Sequence, residues 1–256
     1  GGTLTGKLVK DEHGQPVMVP GKLKAVKGIG WFIEEYGIAQ VSLNLNDTDV
    51  TPLHVAFDEA CKSAAARGIR VTGSELVGLV PKQALLDAAD FFLLRQQRSL
   101  GIPEREKMLI AVKSLGLDDL APFDPAKKVI EYQLEDASTS PLVQLSLTRF
   151  TEETARETPA PGGGSVAAIV GAMGTALGAM VANLSANKRG WDHRWEEFSG
   201  WAVKAETYRT RLLQLVDEDT RAYERIMQAL QLPKHTPEET TARKAALHEA
   251  TKGAIL

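Results

Sequence analysis

Several shortages in this chain each exclude something. One cysteine, Cys61, stands among 256 residues. A single thiol forms no internal disulfide and no thiolate metal cluster, and it suits a reducing compartment. Lysine and arginine number 30 against 33 acidic residues, a formal charge of -3, so no bulk field gathers nucleic acid or an anionic membrane. Residues 1–6 carry neither a basic stretch nor an apolar one, so no targeting segment opens the sequence. The five histidines show no His-x-x-x-His or His-Glu-x-x-His spacing, which argues against zinc. No Gly-x-Ser-x-Gly supports serine catalysis, and no glycine loop ends in Gly-Lys-Ser/Thr. What remains is ordinary globular material, 43% hydrophobic and 25% charged, enough for one or two domains with a packed core.

The chain has no initiator methionine and ends on the apolar run Gly253-Ala-Ile-Leu, so it is expected to be a piece of a longer protein. Residues 7–19 read as a β-hairpin turning at Asp11-Glu-His-Gly14. Residues 39–46 alternate strictly, with Val41, Leu43 and Leu45 on one face and Gln40, Ser42, Asn44 and Asn46 on the other. A helix is predicted next, with Thr51 as N-cap, Pro52 at its first position and Gly68 past its end. Ile69–Thr72 and Leu76–Val80 read as a strand interrupted at Gly73. Pro81 and Pro103 open two further helices, the second ending at Gly116, and Val129–Leu134 reads as a last strand. This order predicts an α+β fold that opens with a partial ferredoxin-like α/β sandwich subdomain over residues 1–135.

A polar linker is expected at 136–141, followed by an all-α helical-bundle domain over 142–256. Ser140 with Pro141 is expected to start one helix, which Pro159–Gly164 breaks. Others follow from Ser165 to about Asn187, from Arg194 to Leu230, and from a cap at Thr236. Two features stand out. Gly162, Gly163, Gly164 and Ser165 join two helices, and consecutive glycines ahead of a helix N-terminus either make a tight turn or let backbone N–H groups meet an anionic ligand. From Val166 to Leu184 no residue is charged, a length that reaches the membrane-span threshold. Its alanine content and the small-residue strip Ala167, Gly171, Gly174, Gly178, Ala182 instead predict the buried centre of a soluble bundle, with no membrane span.

The long helix carries the sharpest signal. At about 100° per residue, Phe198, Trp201, Tyr208, Leu212, Leu215, Val216, Ala222 and Ile226 fall in one arc, and Asp219 falls in its middle. An acid on a buried stripe is costly to desolvate, and burial raises its pKa, so Asp219 is expected to be a dry, protonated donor. The structural alternatives are an ion pair with a basic residue of another helix, or a helix cap. Asp217 is expected to be an ordinary solvated acid. On the polar strand face, Asn44, Asn46 and the nearby Glu75 are candidates to line a binding groove.

Taken together, the segments Gly28-Ile-Gly-Trp-Phe, Ala39-Gln-Val-Ser-Leu-Asn-Leu, Val50-Thr-Pro-Leu-His, Gly73-Ser-Glu-Leu-Val-Gly-Leu-Val-Pro, Ala160-Pro-Gly-Gly-Gly-Ser-Val-Ala-Ala, Leu215-Val-Asp-Glu-Asp and Leu232-Pro-Lys-His-Thr-Pro-Glu-Glu resemble the bifunctional glutamate formiminotransferase–formiminotetrahydrofolate cyclodeaminase family. The resemblance implies a cytoplasmic enzyme of histidine breakdown. A formimino group passes from formiminoglutamate to tetrahydrofolate, which serves as co-substrate, and ring closure to 5,10-methenyltetrahydrofolate then releases ammonia. It also implies a homo-oligomer formed through the helical domain, and no metal. The family's cyclodeaminase acid matches Asp219, the residue that periodicity had already singled out. Its transferase histidine lies in a preceding subdomain that these residues do not include, so His54 is not given that role. Later cyclodeaminase helices are also not among these residues, so an isolated piece of this length is expected to be inactive. The competing expectation is a non-catalytic module that binds folate or pairs subunits through the glycine-rich helix.

Overall fold

The computed structural model describes residues 9–17, 20–35, 37–134 and 140–255. Most of the expected linker at 136–141, and the outer ends of the expected hairpin, lie outside the described residues. Within them the hairpin's turn forms: Lys10 bridges Pro16, and the Asp11 carboxylate accepts from the His13 and Gln15 amides.

Helices dominate, with two antiparallel strands, β1 (Val26–Ile33) and β2 (Ile38–Leu45), paired from Val26↔Leu45 to Ile33↔Ile38. The expected strand at 39–46 is present, but β1 escaped the sequence reading because Gly28 and Gly30 interrupt its pattern. One sheet face carries Phe32, Val41, Leu43 and Leu45. Phe32 and Val41 lie open to solvent, so this sheet does not anchor the core.

The core sits between α2 (Lys82–Arg95) and α3 (Glu104–Leu115). Leu85, Ala88 and Ala89 meet Met108, Ala111, Val112 and Leu115, and Val80, Leu117 and Val129 close the cluster. From α1 (Leu53–Ala65), Leu53 and Phe57 pack against its edge. Gly116 ends α3 in the left-handed conformation, φ 64°, as the stop signal predicted.

Several local expectations are corrected. Thr51 does not cap α1: its hydroxyl donates to the Lys24 carbonyl, 2.6 Å, tying the sheet's entry to the helix start. Residues 69–80 form no strand. They run irregularly past α3, where Ser74 donates its N–H to Gly116 and its hydroxyl to the Leu115 carbonyl, and only Val80 bridges Val129 in parallel. After the short α4 (Pro125–Lys128), the expected last strand at Val129–Leu134 is instead a single bridge residue, Val129, followed by α5 (Ile130–Leu134). Val129 there is buried in the cluster of α2 and α3, with one bridge to Val80 and no partner strand to extend it.

In the second half Ser140 starts no helix. Ser146 caps α6 (Leu147–Thr154), accepting from the Arg149 amide, while the amides of Leu142 and Val143 are taken by an acid of another helix. Then come α7 (Gly163–Ala186), a 3-10 turn at Asp192–Arg194, α8 (Trp195–Gln231) and α9 (Pro237–Ile255). At α9, Thr236 and Glu239 exchange side chain-to-backbone hydrogen bonds, a capping box that fixes the helix start. α7 is long and apolar enough to cross a membrane, yet it packs antiparallel along α8, with Ser165 opposite Asp219 and Gly171 against Leu212. Its buried line is Ala168, Ala172, Ala179, Ala182 and Ala186, which shares only Ala182 with the expected small-residue strip: positions 174 and 178 face open space.

The halves meet at the α2–α3 loop. Asn183 of α7 donates to the Gly101 carbonyl, 2.7 Å, Ser199 of α8 accepts from the Leu100 amide, 3.0 Å, and Arg98 reaches Asn187. Any side chain at 101 would collide with the α8 backbone, since a Cβ there would lie 2.2 Å from the Ala202 carbonyl carbon.

Candidate active site at the start of the glycine-rich helix

A helix begins with amide groups that have no partner in their own helix. At α7 the N-cap is Gly162, which has no side chain with which to answer them. The answer comes from α8. Asp219 Oδ2 accepts the Ser165 N–H at 2.9 Å, the bond an N-cap side chain would make, and lies 3.1 Å from the Ser165 hydroxyl. Among the described residues no donor reaches Oδ1. The carboxylate comes this close only because residue 164 is glycine: a Cβ there would sit 2.2 Å from Oδ1 and 2.5 Å from Cγ. The helix N-terminus carries partial positive charge and suits a negative group at this spot.

Glycine turn and acid are therefore one site. Gly164, Ser165 and Asp219 are brought together, a Cβ at Gly162 would meet Oδ2 at ordinary contact distance, 3.8 Å, and a side chain at Gly163 would point into open space. Asp219 is half-buried, not sealed in a dry crevice, and it is engaged by N–H and O–H donors. The expectation of an acid fully withdrawn from water is thus corrected: of the alternatives named above, the structure contains the helix cap.

The fully withdrawn acid is Asp217, two residues earlier and 3% exposed. It accepts from the Leu142 and Val143 amides at 2.9 and 3.2 Å and pins the segment before α6 onto α8. The helical wheel placed it among solvated acids because a wheel sees one helix alone. The readable signal lay elsewhere, in the apolar Leu142, Val143 and Leu145 that require a surface to cover them.

The remaining candidates do not join this site. Asn44 and Glu75 are exposed, and among the described residues their side chains make no hydrogen bond; Asn46 uses its backbone N–H, to Ala25. A hollow of about 280 Å³ between α6, α7 and α8 is lined by Leu142, Val143, Phe150, Ile169, Met173 and Arg209, and does not include Asp219. His54 is buried against Phe91, ring centroids 4.6 Å apart, and burial holds its imidazole below the usual histidine range, opposed by Asp87 and Asp58. No three His, Cys, Asp or Glu side chains gather into a metal centre among the described residues.

Comparison with known proteins adds the decisive observation. Residues 6–135 match the formiminotransferase domain model, and residues 146–256 match the formiminotransferase-cyclodeaminase model. The chain belongs to the formiminotransferase–cyclodeaminase family. It is 42% identical over 245 residues to formimidoyltransferase-cyclodeaminase of Mus musculus, covering 95% of this chain and 45% of that protein. Methenyltetrahydrofolate cyclohydrolase of Methylorubrum extorquens is 38% identical over 109 residues, 43% of this chain and 52% of its own. The crystal structure of formiminotetrahydrofolate cyclodeaminase from Thermotoga maritima, 34% identical, covers 43% of this chain and 51% of that one, with a TM-score of 0.37. The chain thus spans a little under half the length of the mouse relative it matches. The α7 turn and Asp219 both fall inside the region matched by the cyclodeaminase model.

Proposed function

We propose that this chain is part of a cytoplasmic, folate-dependent enzyme of histidine degradation. In this reading the first half contributes to formimino transfer from formiminoglutamate to tetrahydrofolate. The second half cyclises formiminotetrahydrofolate to 5,10-methenyltetrahydrofolate and releases ammonia. Family membership supports both reactions, and the seat of Asp219 on the glycine-rich start of α7 supports the second. The pairing of β1 with β2 beside helices supports completion of the first half as a ferredoxin-like sandwich, with Asn44, Asn46 and Glu75 on its substrate side.

The chemistry assigned to Asp219 follows from its geometry. With the formimino group in its protonated, formimidinium form, ring closure adds N10 of the folate to its carbon and leaves an amino group there. The bond from that carbon to the amine nitrogen then breaks to give the methenyl cation and ammonia. One proton must leave N10 and one must reach the departing nitrogen, since an unprotonated amine leaves poorly. Oδ2 is held by Ser165, and Oδ1 is the oxygen left to take the first proton and return it to the second nitrogen. Such general acid–base assistance contributes about 10²–10⁴-fold. The glycine turn lies beside the reacting end of the folate in this scheme, and no metal takes part.

A second reading, a non-catalytic module that pairs subunits, draws on the outer face of α7, where Val170, Leu177 and Leu184 are 63%, 60% and 65% exposed. In the enzyme reading the same face takes part in a homo-oligomer through the helical domain. Supplying formiminotetrahydrofolate to the native full-length protein separates the two: the enzyme reading expects stoichiometric ammonia and methenyltetrahydrofolate, whereas binding without turnover would leave only the module.

A further inference from the structure

We propose that Ser165 is a positioning residue for the Asp219 carboxylate and not a folate contact; this rests on the acid–base role of Asp219 given above. Ser165 is wholly withdrawn from solvent, 0% exposed, so no ligand reaches its side chain without unpacking the start of α7. The hydrogen bonds of its N–H and hydroxyl all run to α8. The backbone N–H goes to Asp219 Oδ2 at 2.9 Å. The hydroxyl lies 2.7 Å from the Val216 carbonyl oxygen, 3.1 Å from Oδ2 and 3.3 Å from the Thr220 hydroxyl. Val216 is one turn before Asp219, so a single serine fastens both the carboxylate and the backbone that carries it.

A hydroxyl has one proton and two lone pairs. With the Ser165 proton shared between the Val216 carbonyl and Oδ2, the Thr220 hydroxyl is placed to donate into the Ser165 oxygen and complete the set. Oδ2 is therefore gripped twice by one residue, which fixes the plane of the carboxylate and the direction of Oδ1. Gly164 provides the space in which Oδ1 lies, since any Cβ at 164 would occupy it. A proton relay between two nitrogens requires this kind of fixed orientation, because displacement of a catalytic group by about 1 Å costs on the order of 10²-fold in rate.

The test is ammonia release from formiminotetrahydrofolate by the native full-length chain carrying Ser165→Ala, with Asp219→Asn assayed beside it. A positioning role predicts that Ser165→Ala lowers kcat about 10- to 100-fold while KM stays within about twofold. A role in folate binding would raise KM and leave kcat alone, and that result overturns the proposal. So does an unchanged kcat in Ser165→Ala when Asp219→Asn is inactive, an outcome that leaves the acid–base reading standing. If Asp219→Asn itself releases ammonia at the parent rate, the underlying reading fails and the positioning role falls with it.

Discussion

Leu85, Leu115 and Val129 fill the core of the first half with side chains almost wholly withdrawn from water, whereas the buried positions between α7 and α8 are mostly alanines. The larger apolar side chains of the second half, among them Val170, Leu177, Leu184, Trp201 and Tyr208, lie on its outside. The first half is therefore held by volume, and the second by close backbone approach and a few polar ties. Those ties include Asp217 to Leu142 and Val143, Ser165 to Asp219 and Val216, and Arg243 to the Leu230 carbonyl. An alanine seam brings two helices near enough for one to cap the other, and that closeness is what places Asp219 on the start of α7. The same economy leaves a broad apolar surface open, as expected of a surface that another helix covers.

Substitutions can break or sharpen this contrast. Leu85→Ala is expected to cost about 2–5 kcal/mol, because it leaves a cavity in the large-residue core. Leu177→Ala, at a position 60% exposed, is expected to change stability by no more than about 0.5 kcal/mol in a monomeric sample. Chemical denaturation of both variants checks the pair, and equal losses would show that the outer face of α7 is covered in solution. Next in size, Asp217→Ala strands two half-buried amides and leaves a gap at a buried side chain, and is expected to cost about 1–3 kcal/mol, with faster hydrogen exchange at Leu142 and Val143. If those amides exchange as in the parent, Asp217 does not hold the segment.

The smallest effect is a pH slope belonging to the first half alone. Burial against Phe91 disfavours the charged form of His54, so the folded imidazole titrates below its ordinary value of about 6.5. For such a depressed value the stabilising contribution is complete above the unfolded value and is lost as pH falls through the folded one. The melting temperature should therefore drop on acidification from neutrality, and His54→Gln should flatten that slope. A parent-like slope in the variant would assign the pH dependence to other groups.

The sequence was most readable where chemistry is local. The Thr236–Glu239 capping box, the Gly116 stop and the β2 alternation depend on neighbours within a few residues, and all three are present. It was least readable where a residue's partner lies far along the chain. Val129 and Ile130 carry the composition of a strand, but a strand needs a neighbour to pair with; the core of α2 and α3 claimed Val129 for burial, and Ile130 starts α5. Thr51 has the identity of an N-cap, yet its hydroxyl was drawn to Lys24 by the approach of the sheet. The two aspartates of α8 show the limit most plainly. Periodicity found that an acid sits on an inward face and chose Asp219, but which of Asp217 and Asp219 is withdrawn depends on the segment 140–145 lying across the helix. Family resemblance pointed to Asp219 independently. The structure adds what neither argument contained, the direct seat of that carboxylate on Ser165 and Gly164.

Asp219→Asn in the native full-length chain, with ammonia release and formimino transfer measured in parallel, tests the central claim most directly. Asparagine keeps an oxygen able to accept from Ser165, so the cap survives while the proton relay does not. Ammonia release should fall about 10²–10⁴-fold, with formimino transfer within about twofold of the parent. Undiminished ammonia release, or an equal loss of both activities, would contradict the account.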